Sequence, residues 1–345
     1  MDPATAIRVE SERPSSHDRE EVIAFLDRIL RPGGALSVSE DLPLLLGPDA
    51  RSEQRVIRLD GRIAAHAAML PTECKLGEQK LALGVIGAVA TDPAHRGKGL
   101  ASALVRSLVA HAAKERIPLV LLWSEAPGFY ERLGFVEGGR ETIHVFDREP
   151  PLPRDDFRVR RARKDDLTAM RFLHAREPSG LRRGPREWEI LFAMPATRFH
   201  VLERQGRIAA YGVVGKGADL QGCIHEWGGE ESLVTALVAG IMRNEDLKEI
   251  FVMTPPWKRA AADLLSGAGS EEHTGALAML RINDAPALCS LARGAHRGNR
   301  PEPARPLPAE HDSQALVRAL FGDRGTPPAR GDGHPPFYLF GLDSM

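Results

Sequence analysis

Cysteine, net charge and long apolar runs are all scarce in this sequence. Its 345 residues include three cysteines, Cys74, Cys223 and Cys289. They are far apart, odd in number and form no Cys-x-x-Cys pair. This argues against a disulfide framework or a thiolate zinc site and for a reducing, cytoplasmic compartment. Lys+Arg number 46 against Asp+Glu 47, a formal net charge of -1. The whole chain therefore has no electrostatic grip on nucleic acid or anionic lipid. The longest strongly apolar run, Ile117 to Trp123, is seven residues, whereas a membrane helix needs ~20. The first twenty residues are polar and acidic early, unlike a secretory signal. What is present, 43% apolar and 27% charged residues, is the balance of a globular protein, and the length suggests two domains.

Along the chain, Ser15 and Ser16 begin a helix with Val22, Ile23, Leu26, Ile29 and Leu30 at helical spacing, and Pro32-Gly33-Gly34 ends it. Arg55–Leu59 and Arg62–Met69 alternate and are joined by Asp60-Gly61, a strong hairpin signal. Ala82–Thr91 reads as a strand rich in small residues. A helix from about Gly99 to Arg116 carries Leu100, Leu104, Leu108 and Ala112 on one stripe, and Pro118 stops it. Leu119–Trp123 reads as a strand covered on both faces. A short helix at Pro127–Leu133 leaves through Gly134, and Glu141–Phe146 is a further strand. The alternation predicts an α/β domain with a mixed sheet.

Three prolines between Arg148 and Arg154 mark a linker. Beyond it Gly61-Arg62-Ile63-Ala64-Ala65 recurs as Gly206-Arg207-Ile208-Ala209-Ala210, 145 positions later. A helix near Glu231–Met242, a strand at Ile250–Met253 and a helix leaving at Leu264–Gly267 keep the same order, so a duplicated domain is expected. The expected division is 1–148, 155–283 and a Pro/Gly-rich segment 284–345. The last run, Phe337-Tyr338-Leu339-Phe340-Gly341-Leu342, is apolar where tails are ordinarily polar, so the C-terminal end is expected to dock on the body.

Chemistry concentrates at Val89-Ala90-Thr91-Asp92-Pro93-Ala94-His95-Arg96-Gly97-Lys98-Gly99-Leu100-Ala101. A strand ends, glycines permit close approach, two cations follow, and a helix starts. Free N–H groups and the helix dipole make such a turn an anion site, suited to phosphate or pyrophosphate. It is not a nucleotide P-loop, which needs Ser or Thr after the lysine, and GxGxxG is absent. Asp92 suits a turn cap. His66 and His95 are lone histidines, better read as structural.

Arg96-Gly97-Lys98-Gly99-Leu100-Ala101 resembles the R/Q-x-x-G-x-G/A motif of the GNAT superfamily of acyl-CoA-dependent N-acetyltransferases. Phe129-Tyr130-Glu131-Arg132-Leu133-Gly134-Phe135 resembles its downstream segment, at the family's spacing. The resemblance covers about residues 1–147. It implies that Arg96, Gly97, Lys98, Gly99, Leu100 and Ala101 hold the CoA diphosphate. It also implies that Val89, Ala90 and Thr91 line the pantetheine arm and polarise the thioester, and that Tyr130 protonates the leaving thiolate. Acetyl-CoA is the implied co-substrate and an amine-bearing small molecule or protein the acceptor. Glu125, with Ser124, is a candidate substrate or base residue, and an equally good solvated helix-start carboxylate.

Trp123-Ser124-Glu125, Tyr211–Gly217 and His225-Glu226-Trp227-Gly228-Gly229 in a duplicated chain resemble the enhanced-intracellular-survival (Eis) type. About 60 residues follow Asn283, too few for that type's sterol-carrier-like domain. The likeness implies that the α-carboxylate of Met345 handles protons at the site.

The second half lacks the phosphate turn and has no tyrosine at the place of Tyr130, where Ala262 or Asp263 falls, so it is expected to be a non-catalytic copy that shapes the acceptor cleft. Cys223, His225 and Glu226 would alternate faces on a strand, so no metal site is expected. The arginines between 154 and 186 are interleaved with acids and read as a solvated surface. The expectation is therefore tandem GNAT folds of class α/β (α+β) and an N-acetyltransferase, monomer or small homo-oligomer, without nucleic-acid or membrane partners. The alternative is a non-catalytic acyl-CoA sensor, against which Tyr130 speaks.

Overall fold

The computed structural model describes residues 16–34, 36–152, 156–295, 312–322 and 337–343. Helices α1 (Ser16–Leu30), α2 (Val38–Asp41) and α3 (Pro43–Leu46) precede a meander of β1 (Glu53–Leu59), β2 (Arg62–Leu76) and β3 (Gln79–Thr91). Asp60 and Gly61 turn β1 into β2 with φ of 51° and 78°. Two left-handed residues give the turn whose twist matches antiparallel strands. Next come α4 (Leu100–Lys114), β4 (Leu119–Leu122), α5 (Pro127–Glu131), β5 (Val136–Gly138) and β6 (Glu141–Phe146).

The second half opens with β7 (Phe157–Arg161), α6 (Leu167–Ala175), β8 (Ser179–Leu181) and α7 (Pro185–Phe192). A second meander follows, β9 (Arg198–Arg204), β10 (Arg207–Lys216) and β11 (Asp219–Gly229). Its first turn, Gln205-Gly206, has φ of 52° and 74°. The sequence repeat thus marks the same turn in both halves. Then come α8 (Val234–Glu245), β12 (Ile250–Thr254), α9 (Arg259–Gly267), β13 (Glu271–Gly275), β14 (Ala278–Ile282), α10 (Ala285–Ala295) and α11 (Ser313–Phe321).

The strands form two mixed sheets, ordered β1-β2-β3-β4-β14-β5, with β8 on β2, and β13-β6-β12-β11-β10-β9-β7. Each half lends the other a strand. The segment at 141–146, expected to close the first domain, instead lies between β12 and β13, while β14 fits between β4 and β5. Cuts at 148 and 283 therefore leave neither sheet whole.

Alternation on β4 assigns its faces. Val120 and Leu122 join Leu100, Leu104, Leu108 and Tyr130 in one core, whereas Leu119 and Leu121 join Phe337–Phe340 and the buried faces of α10 and α11 in another. The apolar run Phe337–Leu342 is buried. Ser179 Oγ accepts the Tyr338 N–H (3.0 Å) and donates to the Tyr338 carbonyl (2.9 Å). A Cβ on Gly341 would strike His225 of β11, so the segment touches both sheets.

The arginine-rich stretch differs from its expected solvated surface. The Arg183 side chain is 2% exposed and pairs with Glu226 and Asp343, both buried. Burial would favour its neutral form, but the two carboxylates win and raise its pKa. Tyr211 adds a donor to Glu226 (2.9 Å).

Candidate active site

Strands β3 and β4 run parallel but pair only from Leu83–Leu119 to Val85–Leu121. Beyond Val85, β3 continues six residues bonded to β2 alone among the described residues. The strands diverge, leaving the β4-facing backbone of Ile86–Thr91 in an open cleft. A bulge shapes this edge: Ala88 and Val89 oppose Ala67, and Ala88 has φ 49°. His66 holds it, its Nδ1 2.8 Å from the Ala88 carbonyl. Burial drives the His66 pKa down to about 4 despite that bond. The ring is therefore neutral at pH 7 and acts structurally, re-aiming the backbone of Ala88, Val89, Ala90 and Thr91.

The chain leaves β3 through a 3-10 turn at Pro93–His95, where the Asp92 carboxylate accepts the Ala94 N–H at 3.0 Å. Gly97 and Gly99 follow with φ of 78° and 77°. A Cβ at either would meet nothing within 4 Å, so glycine is required for conformation rather than space. Arg96, Gly97, Lys98 and Gly99 are exposed, and Leu100 is buried. The first helical N–H groups, Leu100 and Ala101 among them, have no carbonyl one turn back and point out of α4. Two exposed cations beside them complete a cradle for an anion.

Helix α5 begins at the same end of the sheet, because β4 is parallel to β3. Tyr130 is 8% exposed and meets Phe129 and Phe135 edge-on at 4.8 and 5.9 Å. Burial raises its pKa, so the phenol keeps its proton at neutral pH. Its hydroxyl has no partner among the described residues. Tyr130, Leu100 and Ile86 share one core, with Val89 packed against it. The tyrosine, helix start and open strand edge are thus brought together. Ser124 and Glu125 are exposed at the end of β4, Ser124 accepting the Ala126 N–H at 3.0 Å. That bond is a turn's, and Glu125 is a solvated carboxylate here. Met345 lies outside the described residues.

Sequence reasoning missed a cavity of about 630 Å³ between α4 and the end of α5, lined by Arg106, Arg132, Arg281 and Val109 among others. No carboxylate lines it. Arg281 donates to the Leu133 carbonyl, its buried Nε is unpartnered, and burial lowers its pKa.

The second half repeats the divergence and closes it. Strands β11 and β12 pair only at Cys223–Phe251 and Ile224–Val252. Trp227 fills the gap and donates to the Met253 carbonyl at 3.0 Å. Lys258 Nζ lies 4.2 Å from the Trp227 ring and bonds Glu177 at 2.6 Å. Glu230 and Glu231 occupy the turn before α8, where the first half has Arg96 and Lys98. Cys223, His225 and Glu226 are all buried, and no group of three metal-ligating side chains occurs among the described residues. The cysteines are free, and burial pushes the Cys74 thiol up to about 12. No described helix is long and apolar enough to cross a membrane.

Residues 46–137, which hold the cleft, the turn and Tyr130, match the family model of the acetyltransferase (GNAT) domain. No curated protein matches the sequence. Among solved structures, a GCN5-related N-acetyltransferase from Anabaena variabilis is similar at 15% identity and TM-score 0.63, over 81% of this chain and 74% of that one. Eis1 from Mycobacterium abscessus is similar at 14% identity and TM-score 0.56, over 81% and 75%. N-myristoyltransferase from Saccharomyces cerevisiae, solved with myristoyl-CoA, is similar at 12% identity and TM-score 0.53, over 82% and 81%. The fold is the one these acyltransferase structures share, and the match to the acetyltransferase (GNAT) domain lies within residues 46–137.

Proposed function

We propose that the protein is an N-acetyltransferase that moves the acetyl group of acetyl-CoA to a primary amine, with chemistry confined to the first half. The observation that carries this reading is the open β3/β4 cleft ending at a cationic, glycine-bearing helix start with Tyr130 beside it. The diphosphate would bind the N–H groups and cations at 96–101, and the pantetheine arm the free edge of β3. The three guanidiniums between α4 and α5 suit the anionic nucleotide end of the coenzyme. In the second half the same gap is filled by Trp227, and acids stand at the turn.

In the reaction, a neutral amine attacks the thioester carbon. A backbone N–H of Val89–Thr91 stabilises the negative charge that develops on the carbonyl oxygen. The C–S bond then breaks, the thiolate takes the Tyr130 proton, and the proton that the acylated nitrogen sheds to solvent balances the one that restores the phenol. Acetyl is the group the family resemblance favours. Purified protein with acetyl-CoA and a panel of primary amines should release thiol. Calorimetric binding of CoA with no thiol release from any amine would instead support the acyl-CoA sensor.

A further inference from the structure

Arg281 is a half-buried cation without an anion. Strand β14 sets it beside Val120 of β4. Side chains alternate along the strand, with Leu280 in the core under the C-terminal segment and Met279 in the core under α4. Arg281 therefore points with Met279 to the side where α4 and α5 lie. There its Nη1 donates to the Leu133 carbonyl. Gly134 has φ 82°, and a Cβ on it would strike that same nitrogen. The glycine at the exit of α5 thus leaves room for an arginine from the other half of the chain. Asn283 ties the strand end to α4, its side-chain amide donating to the Val109 carbonyl at 3.4 Å. Arg281 Nε stays buried and unpartnered, a deficit that a bound acceptor would relieve.

Two exposed guanidiniums, Arg106 of α4 and Arg132 just past α5, line the same 630 Å³ cavity as Arg281. None of the three forms an ion pair among the described residues, and Val105, Val109 and Ala110 add apolar wall. Such a lining suits a phosphate ester carried on a flat heterocycle, because a guanidinium fork meets phosphate oxygens two at a time. Arg106 lies six residues beyond Leu100, about 9 Å down α4 from the diphosphate turn. In CoA one ribose spans a comparable distance, from the diphosphate on its 5′ oxygen to the phosphomonoester on its 3′ oxygen. That monoester carries close to two negative charges at pH 7. We propose that Arg281, with Arg106 and Arg132, binds the 3′-phosphate of CoA and makes the protein discriminate against dephospho-CoA. The second half, its own gap closed by Trp227, thereby supplies a specificity residue to the first. This inference rests on the reading of residues 96–101 as the diphosphate site.

The full-length chain is titrated calorimetrically with CoA and with dephospho-CoA. CoA should bind at least about tenfold more tightly, the size of one charge-assisted contact. In Arg281→Gln that ratio should fall at least about threefold through loss of CoA affinity alone, with dephospho-CoA bound as in the parent protein. Arg281→Lys, which keeps a cation without the fork, should fall between the two. Equal affinities in the parent protein overturn this inference and leave the acetyltransferase reading standing, whereas binding of neither compound overturns both. A parallel loss of both affinities in Arg281→Gln makes the residue structural and also overturns the inference. Should that variant fold poorly, the parent protein gives a second readout. In phosphorus NMR of bound CoA, the monoester signal, resolved from the diphosphate, should titrate below its ordinary value of about 6. A signal that titrates as in free CoA overturns the inference.

Discussion

At the scale of single residues, Tyr130 and the glycines of the turn make separable contributions. Tyr130→Phe keeps the ring contacts with Phe129 and Phe135 and removes only the proton. Turnover should fall about a hundredfold or more, the size of general-acid assistance, with CoA affinity unchanged by calorimetry. Gly99→Ala meets no neighbour but must hold φ near 77°. That strain, about 1–2 kcal/mol, should weaken CoA binding roughly tenfold while spectra of the fold stay the same. Arg132→Glu puts an anion into a cavity whose other charged lining side chains are Arg106 and Arg281. CoA affinity should drop and lose much of its salt dependence, whereas acetyl-pantetheine, lacking the nucleotide, should react at an unchanged rate. Tyr130 and Gly99 were legible in the sequence because their chemistry is local: a turn leading into a helix start, and a tyrosine one turn before a glycine exit. The cavity that Arg132 lines was not, because β14 brings Arg281 to it from the other half of the chain. Glu141 and Arg183 were not, because neither lies in a motif. What distinguishes them is burial, set by strands and a tail more than a hundred positions away.

At the scale of elements, two buried histidines tie the meanders to pH. His66 bonds the bulge of β3, and His225 Nε2 lies 2.9 Å from the Gly215 carbonyl in the second meander. Burial takes each down to about 4 from an ordinary 6.5. Between these values the unfolded chain binds more protons than the folded one, so stability is lost as pH falls from 6.5 toward 4. The loss reaches on the order of 3 kcal/mol per histidine. Glu141 acts oppositely: raised to about 7 from 4.5, it favours the fold below 4.5, and that gain is lost as pH rises to 7. Urea unfolding at pH 7 and pH 5 should show a net loss on acidification, smaller in His66→Gln. The strap at Phe337–Asp343 depends on a different pairing. Burial would push Glu226 up, but Arg183 holds it well below the carboxylate range. Arg183→Met would remove the guanidinium that Glu226 and Asp343 share, a cost of about 3–5 kcal/mol. A lower Tm, partly regained in Arg183→Met with Asp343→Asn, is expected. The apolar strap could be read from Phe337-Tyr338-Leu339-Phe340, but its anchor could not, since Arg183 sits among arginines that do reach solvent.

At the scale of the whole molecule, exchanged strands make the halves mutually dependent. Local periodicity found α1, the first meander, α4, β4, α5, β6, α8 and β12, but not β7, α6, β8, α7, β13 or β14, and the repeated Gly-Arg-Ile-Ala-Ala marked the same turn in both halves. It could not say which sheet a strand would join, because β6 offers the same alternating pattern to either. Register decides: Ile250–Thr254 of β12 pairs with Thr142–Phe146 along the full length of β12. Meanwhile β14 bonds β4 at four residues and β5 at three. Removing β14 would strip β4 of its neighbour on the side away from the cleft and leave β5 unattached. A chain of residues 1–148 would also expose β6, whose partners β12 and β13 lie in the missing half. Such a fragment should be insoluble or lack a cooperative melt, although it contains the phosphate turn, the cleft and Tyr130. Co-expression with residues 149–345 should restore both solubility and CoA binding, because the second fragment returns β14 and receives β6. A soluble, cooperatively folding 1–148 that binds CoA alone would show that the exchange of strands is dispensable.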